Sequence, residues 1–427
     1  MNKLISSTFK NYPILILISA FAPYVSPTSG IKGDNIVIYS LAIIAVGVLL
    51  IRQKFSVNKN LLIIFLIWLS VFIYLSTRTL LGGGYIDEYS LIAEIKNFSQ
   101  PLAIMLIFLV FIYSDKIESI EIFLKKASLV LISLLSINTL WIFIDISFDL
   151  SYINQYFVRG VALNAAGNNR FSGVFNQPME AGIAYSIGLF SWMYVVSKKY
   201  INVNFKYVLM LILLFIGGLV SVSKIFIFGG ILLFIINIIF EKKSLMKLKK
   251  LLLWIPILLP FLIIYLSNNW QGISYLNRLF TIENYREQGF LYLLSAGRYG
   301  GNSSQQRGLL DMIWETSPMI GQGMGSQMIY DSAVFHFFSS GGLIALSMYL
   351  LLLTYLLIVS LHCFVHKKSR SETIFFFNIV LLIILATFGA PVLTVNRASV
   401  VVWVFISLLL WYINKKSIKE TIIKKTV

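Results

Sequence analysis

The chain has 427 residues, of which 58% are hydrophobic and 12% charged, with a formal net charge of +17. Uncharged runs such as Leu61 to Ser76 and Leu343 to Leu361 are longer than a water-soluble core requires, whereas a bilayer asks for roughly 20 apolar residues per helix. Composition therefore excludes a soluble globular domain and predicts an all-α polytopic membrane protein with no nucleic-acid partner.

In chain order, about twelve spans are predicted, near 12–28, 35–51, 60–76, 98–114, 127–148, 179–197, 207–222, 225–240, 251–267, 336–361, 373–390 and 398–413. Lys3 and Lys10 before an apolar run, with Ala20-Phe21-Ala22 behind it, imitate a secretory signal. Pro23 at the would-be new N-terminus argues against cleavage, so this segment counts as the first span. Residues 1–427 then form a single integral membrane domain with one large loop at 268–335, a smaller one at 150–178 and a short glycine-bearing connection from Leu81 to Asn97. A loop as long as 268–335 on a compact body is more often functional than idle.

Lysines crowd alternate connections, at Lys54 and Lys59, Lys116 to Lys126, Lys198 to Lys206, Lys242 to Lys250, Lys367 and Lys368, and the tail from Lys415. The positive-inside rule makes these connections and both termini cytoplasmic. The opposite side then holds Lys32, Arg78, Lys96, Arg159, Arg170, Lys224, Arg278, Arg286, Arg298, Arg307 and Arg397. Arginine dominates this outward set, while only Arg52 and Arg370 lie inside. Topology does not explain outward arginine, and its planar fork suits phosphate and carboxylate. Some of these residues have a simpler role open to them, since Arg286 adjoins Glu283 and Glu287 and Arg307 is four residues before Asp311, a helix ion-pair spacing.

Inside the large loop, Ser303 to Arg307 reads as a helix start, Leu309, Leu310, Ile313 and Trp314 form its apolar face, and Pro318 ends it. Gly321-Gln322-Gly323-Met324-Gly325 reads as a tight re-entry turn or as backbone that cradles a phosphate, and not as a nucleotide fingerprint, because no strand precedes it. The lone Cys363 excludes an internal disulfide, and His336 falls on the opposite side from His362 and His366, so neither a bound metal nor a cofactor is expected. The spans read as nearly free of ionisable residues, with Asp145, Asp149, Glu180 and Lys224 at their outer ends. Trp270, Tyr275, Tyr285, Tyr292, Tyr299 and Tyr330 supply rings that suit either a membrane interface or a saccharide.

Four motifs carry a family resemblance. Arg170-Phe171-Ser172-Gly173-Val174-Phe175-Asn176-Gln177-Pro178 before a span, and Ser221-Val222-Ser223-Lys224 between two spans, are the first two. Arg307 to Gly325, with Trp314, Pro318, Gly321 and Gly323, is the third, and Asp331 to Phe335 followed by Gly341-Gly342 the fourth. Their order and placement over roughly residues 170–350 resemble the bacterial O-antigen polymerase and ligase family. The resemblance implies a GT-C-like fold similar to multi-span polyprenyl-phosphate glycosyltransferases, with a large periplasmic loop, in the bacterial inner membrane. It implies a polymerase that moves a growing glycan from undecaprenyl diphosphate onto the next lipid-linked repeat at the periplasmic face, without a metal. Lipid-linked oligosaccharide, membrane lipid, a chain-length regulator and a flippase are the partners it implies.

Within that resemblance, Arg170 and Arg307 are expected to hold the diphosphate, helped by Lys224 and Arg298. Lys224 stands where the family has arginine, which keeps the charge and loses the bidentate fork. Asp331, His336 and Glu180 are the candidates for accepting the acceptor hydroxyl's proton. Asp331 either serves as that base or pairs with an arginine and positions it. Family ligases carry histidine at this position, which favours a polymerase over the alternative of an O-antigen ligase acting on lipid A core. A lipid-linked oligosaccharide flippase is a third reading, which would require charged residues lining a path through the bundle.

Overall fold

The computed structural model describes residues 11–26, 31–51, 57–82, 84, 88–111, 117–148, 150–158, 170–201, 204–240, 305–326, 332–366 and 370–426. The predicted span at 251–267, most of the 268–335 loop, and the individual positions Arg298 and Asp331 lie outside the described residues. The elements in order are α1 (Tyr12–Ser19), α2 (Gly33–Ile51), α3 (Lys59–Leu80), α4 (Glu88–Phe111), α5 (Ile117–Phe148), α6 (Ser151–Asn154), α7 (Pro178–Ser197) and α8 (Phe205–Val220). A π-helical segment (Ile225–Ile231) follows, then α9 (Leu232–Phe240), α10 (Gln305–Thr316), α11 (Ala333–His366), α12 (Arg370–Ala386) and α13 (Asn396–Thr426).

Seven of these helices are long and apolar enough to cross a membrane, with three shorter apolar helices beside them, as an all-α polytopic membrane protein requires. Helix α1 is the clearest departure from expectation. It runs for eight residues and gives way to a short antiparallel bridge between Tyr24 and Lys32 in place of a span reaching residue 28.

Burial orders the bundle. The apolar windows of α7 and of Arg397–Asn414 in α13 are each 94% buried, so these two helices form its centre, apolar on every side. Helix α7 touches α5, α8, the π-helical segment, α12 and α13, while α13 also contacts α4 and α5. On α3, by contrast, the buried residues Leu61, Ile64, Trp68, Val71 and Leu75 recur every three or four positions and face inward alone. The Asn58 side chain caps this helix by accepting from Leu61 N at 3.1 Å. At the lysine-rich end, Glu372 at the start of α12 is fully buried and ion-paired with Lys198, which also lies 3.7 Å from Glu121.

Residues 317–326, after α10, turn back into the bundle, as the re-entry reading of the glycines expects. The helix ends at Thr316, before Pro318, and the chain then pairs with a break in α11: Gln322 N donates to Ser339 O at 2.8 Å, Gly323 N to Ser340 O at 2.9 Å and Leu343 N to Pro318 O at 2.9 Å. The break lies at Gly341 and Gly342, where a non-helical backbone leaves carbonyls and amides free to pair. Helix α3 clamps the turn, with Arg78 Nε donating to Gly321 O at 2.9 Å and Thr79 Oγ1 accepting from Met324 N at 2.8 Å. Irregular backbone at this depth is tolerated only because protein groups satisfy it.

Gly321 (φ +66°) and Gly342 (φ +62°) both hold left-handed conformations, and a Cβ on Gly321 would lie 2.7 Å from the Gly341 Cα. Gly321→Ala and Gly342→Ala are each expected to cost on the order of 2 kcal/mol or more, combining left-handed strain with overpacking. Thermal unfolding in detergent checks this, and unchanged midpoints for both variants would contradict the docked turn.

Candidate functional site

Two polar clusters sit at the arginine-bearing end of the bundle, and helix α4 joins them. The first begins with the segment before α7. Phe171 N donates to Val220 O at 3.3 Å and Arg170 Nη2 to Val222 O at 3.4 Å, so this segment lies on the turn that ends in Lys224. Within that turn Val222 adopts φ +48°, a strained conformation for a β-branched residue. The π-helical segment starts immediately after Lys224, and such segments in helices frequently mark functional sites. Pro178 opens α7, where its missing N–H costs nothing, and fully buried Glu180 follows in the first turn, on the positive end of the helix dipole.

Next to this segment lies a buried charge group. Arg397, in the first turn of α13, is fully buried and donates from Nη2 to Ala22 O at 2.8 Å. Its Nε and Nη1 have no acceptor among the described residues. The guanidinium carbon stands 5.9 Å from the centre of the Tyr24 ring, and the Lys32 ammonium approaches the same ring at 5.3 Å, both within cation–π range. Asn176 Nδ2 donates to Tyr24 OH at 2.8 Å and so ties the Arg170-bearing segment to this group.

Asp34, in the first turn of α2, is buried as well, accepting from Asn35 N at 2.8 Å and from Gln100 Nε2 at 3.2 Å. Asp34 and Glu180 act electrostatically on both Lys32 and Arg397, and Lys96 adds a further positive charge. Burial pushes the Lys32 ammonium down to about 7, reinforced by the positive charges of Arg397 and Lys96 and opposed by Asp34 and Glu180.

Glu94 of α4 organises the second cluster. Its carboxylate is 1% exposed, with Oε1 2.8 Å from His336 Nε2 and Oε2 accepting from Gly325 N at 2.7 Å. One side chain therefore holds both the first turns of α11 and the end of the docked turn. The His336 ring, itself buried, lies 5.4 Å from the Phe98 ring and 5.7 Å from that of Phe337.

Ser90, Glu94, Asn97 and Gln100 recur at three- and four-residue intervals along α4 and are all buried. They form a polar stripe that meets His336 and Gly325 at Glu94 and Asp34 at Gln100. Ionisable groups inside such helices mark a functional site by default, because their desolvation is otherwise uncompensated.

Several expectations are refined here. The structure brings Arg170 to the turn that carries Lys224 and buries Glu180 beside the Lys32 and Arg397 group. His336 stands apart from these, in the second cluster. Arg307 lies on α10, which packs against α11. Asp34, Glu94 and Arg397, all outside the predicted span limits, are buried near the starts of three span-forming helices. Hydrogen bonds offset part of their desolvation, from Asn35 and Gln100 to Asp34, between Glu94 and His336, and from Arg397 to the Ala22 carbonyl. Asp145, expected only as an outer-end charge, caps the 150–154 turn by accepting from Leu150 N at 3.1 Å and from Asn154 Nδ2 at 2.5 Å.

Sequence reasoning gave no role to Asp34, Glu94 or Gln100, and counted Arg397 only as one of the outward arginines. The recoverable signal was the polar spacing from Ser90 to Gln100, which reads as one face of a helix and not as a loop. No known family model and no curated protein matches this chain.

The Lys32 environment sets a pH dependence. The folded state releases the lysine proton near pH 7 and the unfolded state near its ordinary value of 10.5, so folding is favoured as pH rises between the two, and the full desolvation cost applies below pH 7. Relative to Lys32→Met, the wild-type protein is expected to gain thermal stability from pH 7 to pH 9. A difference between the two that is flat or falls over this range would contradict the buried ammonium.

Proposed function

We propose that this chain is a glycosyltransferase of the bacterial inner membrane that polymerises lipid-linked oligosaccharide repeats into O-antigen or a related surface polysaccharide. The growing glycan passes from undecaprenyl diphosphate to a hydroxyl of the next lipid-linked repeat at the periplasmic face. The acceptor oxygen bonds to the anomeric carbon, the bond from that carbon to the diphosphate oxygen breaks, and the diphosphate leaves with the electron pair. The acceptor proton moves to a base on the protein.

The observation that carries this reading is the union of two motifs some fifty residues apart, through the Arg170 Nη2 bond to Val222 O and the Phe171 N bond to Val220 O. Arg170 and Lys224 thus belong to one small region, continuous through Asn176 and Tyr24 with the buried Lys32 and Arg397. Fixed cations at the end of an apolar bundle suit a leaving group whose negative charge grows in the transition state, because a water-poor surrounding strengthens their field. Arg307 and Arg298 complete the proposed diphosphate set from the large loop.

Purified protein given lipid-linked repeat units is expected to produce a ladder of lengthened glycans. A lipid-linked oligosaccharide flippase would yield no lengthened product, and a ligase would transfer glycan only when lipid A core is supplied. Arg170→Ala, at wild-type abundance in the membrane, is expected to slow elongation by about 10²-fold or more, as loss of one fixed donor to a developing anion does. Elongation at the wild-type rate would remove Arg170 from the diphosphate site.

A further inference from the structure

We infer that Arg78 holds the phosphate of a membrane phospholipid, in the leaflet at the arginine-bearing end, whose acyl chains lie over Met319 and Ile320 of the docked turn. The depth of this site follows from α3. Residues 60–77, between Lys59 and Arg78, carry no charge. At ~1.5 Å per residue the two cations stand about 28 Å apart along the helix axis, close to the roughly 30 Å thickness of bilayer hydrocarbon. Arg78 is therefore at the level of the lipid headgroups.

The docked turn reaches below that level. Tyr74, four residues before Arg78, lies roughly 6 Å deeper, and its side chain leans further toward the start of the helix. Its hydroxyl donates toward Gly341 O at 3.1 Å and Ile320 O at 3.3 Å. Ile344 N, from an exposed residue of α11, donates to Met319 O at 3.3 Å. Met319 and Ile320 are 61% and 43% exposed, so at this depth their side chains meet lipid and extend the apolar surface of the spans. The exposed residues Asp311, Glu315 and Thr316 of α10 precede them, and polarity thus falls along the chain as it enters the membrane.

A phosphate at the headgroup level is met by Arg78 and not by the glycines. The amides of Gly321, Gln322, Gly323, Met324 and Gly325 donate to Ser317 O, Ser339 O, Ser340 O, Thr79 Oγ1 and Glu94 Oε2, so the turn keeps no amide for an anion. Arg78 is only half-buried, and its Nε bond to Gly321 O fixes the plane of the guanidinium. Among the described residues no carboxylate pairs with it. The remaining two nitrogens form an edge that suits phosphate oxygens. One lipid fits both features, with its headgroup at Arg78 and its chains against the turn beneath.

Full-length protein carrying a fluorophore at position 319, through Met319→Cys with Cys363→Ser, tests this by quenching. In a phospholipid bilayer the fluorophore should be quenched by doxyl groups on acyl chains and not by aqueous iodide, whereas one attached through Glu315→Cys should show the reverse. Iodide quenching at 319 would overturn the site. In maltoside detergent, doxyl-phosphatidylglycerol is expected to quench at about fivefold lower concentration than doxyl-labelled glucosyl diacylglycerol, which has the same chains and no phosphate. Arg78→Gln places an amide nitrogen where Nε stands, so the Gly321 bond survives while the fork is lost. It should abolish the preference with an unchanged melting midpoint. Equal quenching by the two lipids in protein that retains Arg78, or a preference that survives Arg78→Gln, would overturn the inference. Displacement of the phosphatidylglycerol by millimolar inorganic phosphate, or by undecaprenyl phosphate at far lower concentration, would overturn phospholipid as the occupant.

Discussion

A carboxylate inside an apolar bundle must be answered by donors from the same bundle, and Glu94 is answered by His336 and by the Gly325 amide. Much of the architecture at this end follows from that requirement. The Gly325 bond holds the end of a turn that would otherwise leave backbone groups unsatisfied, and the same turn fills the break in α11 at Gly341 and Gly342. Arg78 and Thr79 seal it from α3. Truncating the Glu94 side chain would therefore loosen a helix, a turn and a histidine together.

The polar stripe on α4 carries the constraint across the bundle. Gln100, six residues from Glu94 on the same face, donates to Asp34, which lies within electrostatic reach of Lys32 and Arg397 beneath the segment that bears Arg170. The buried Lys32 and Arg397 group and the Glu94–His336 cluster are thus linked through one helix.

How much of this was legible in the sequence depended on the kind of signal. Apolar runs located the helices well, because bilayer thickness and composition alone decide them, as with 60–76 inside α3 and 179–197 inside α7. Hydropathy placed a span at 98–114, whereas α4 starts at Glu88: a window average cannot see that Ser90, Glu94, Asn97 and Gln100 turn one polar face inward. The start of the chain departed for a related reason, as eight helical residues pass into a bridge that seats Tyr24 beneath two cations. Within the candidate site, local patterns revealed Arg170, the Lys224 turn and the re-entry at Gly321. Partners distant in sequence stayed hidden, because nothing near Glu94 announces His336 or Gly325 more than two hundred residues away.

The central claim is that the cation-rich region around Arg170 and Lys224 receives a lipid-linked diphosphate. Cryo-electron microscopy of the protein with a bound undecaprenyl diphosphate-linked saccharide tests it most directly. The account predicts diphosphate density within hydrogen-bond reach of both Arg170 and Lys224. Diphosphate density at the lysine-rich end near Lys198 and Glu372, or away from both residues on the lipid-facing surface, would contradict it.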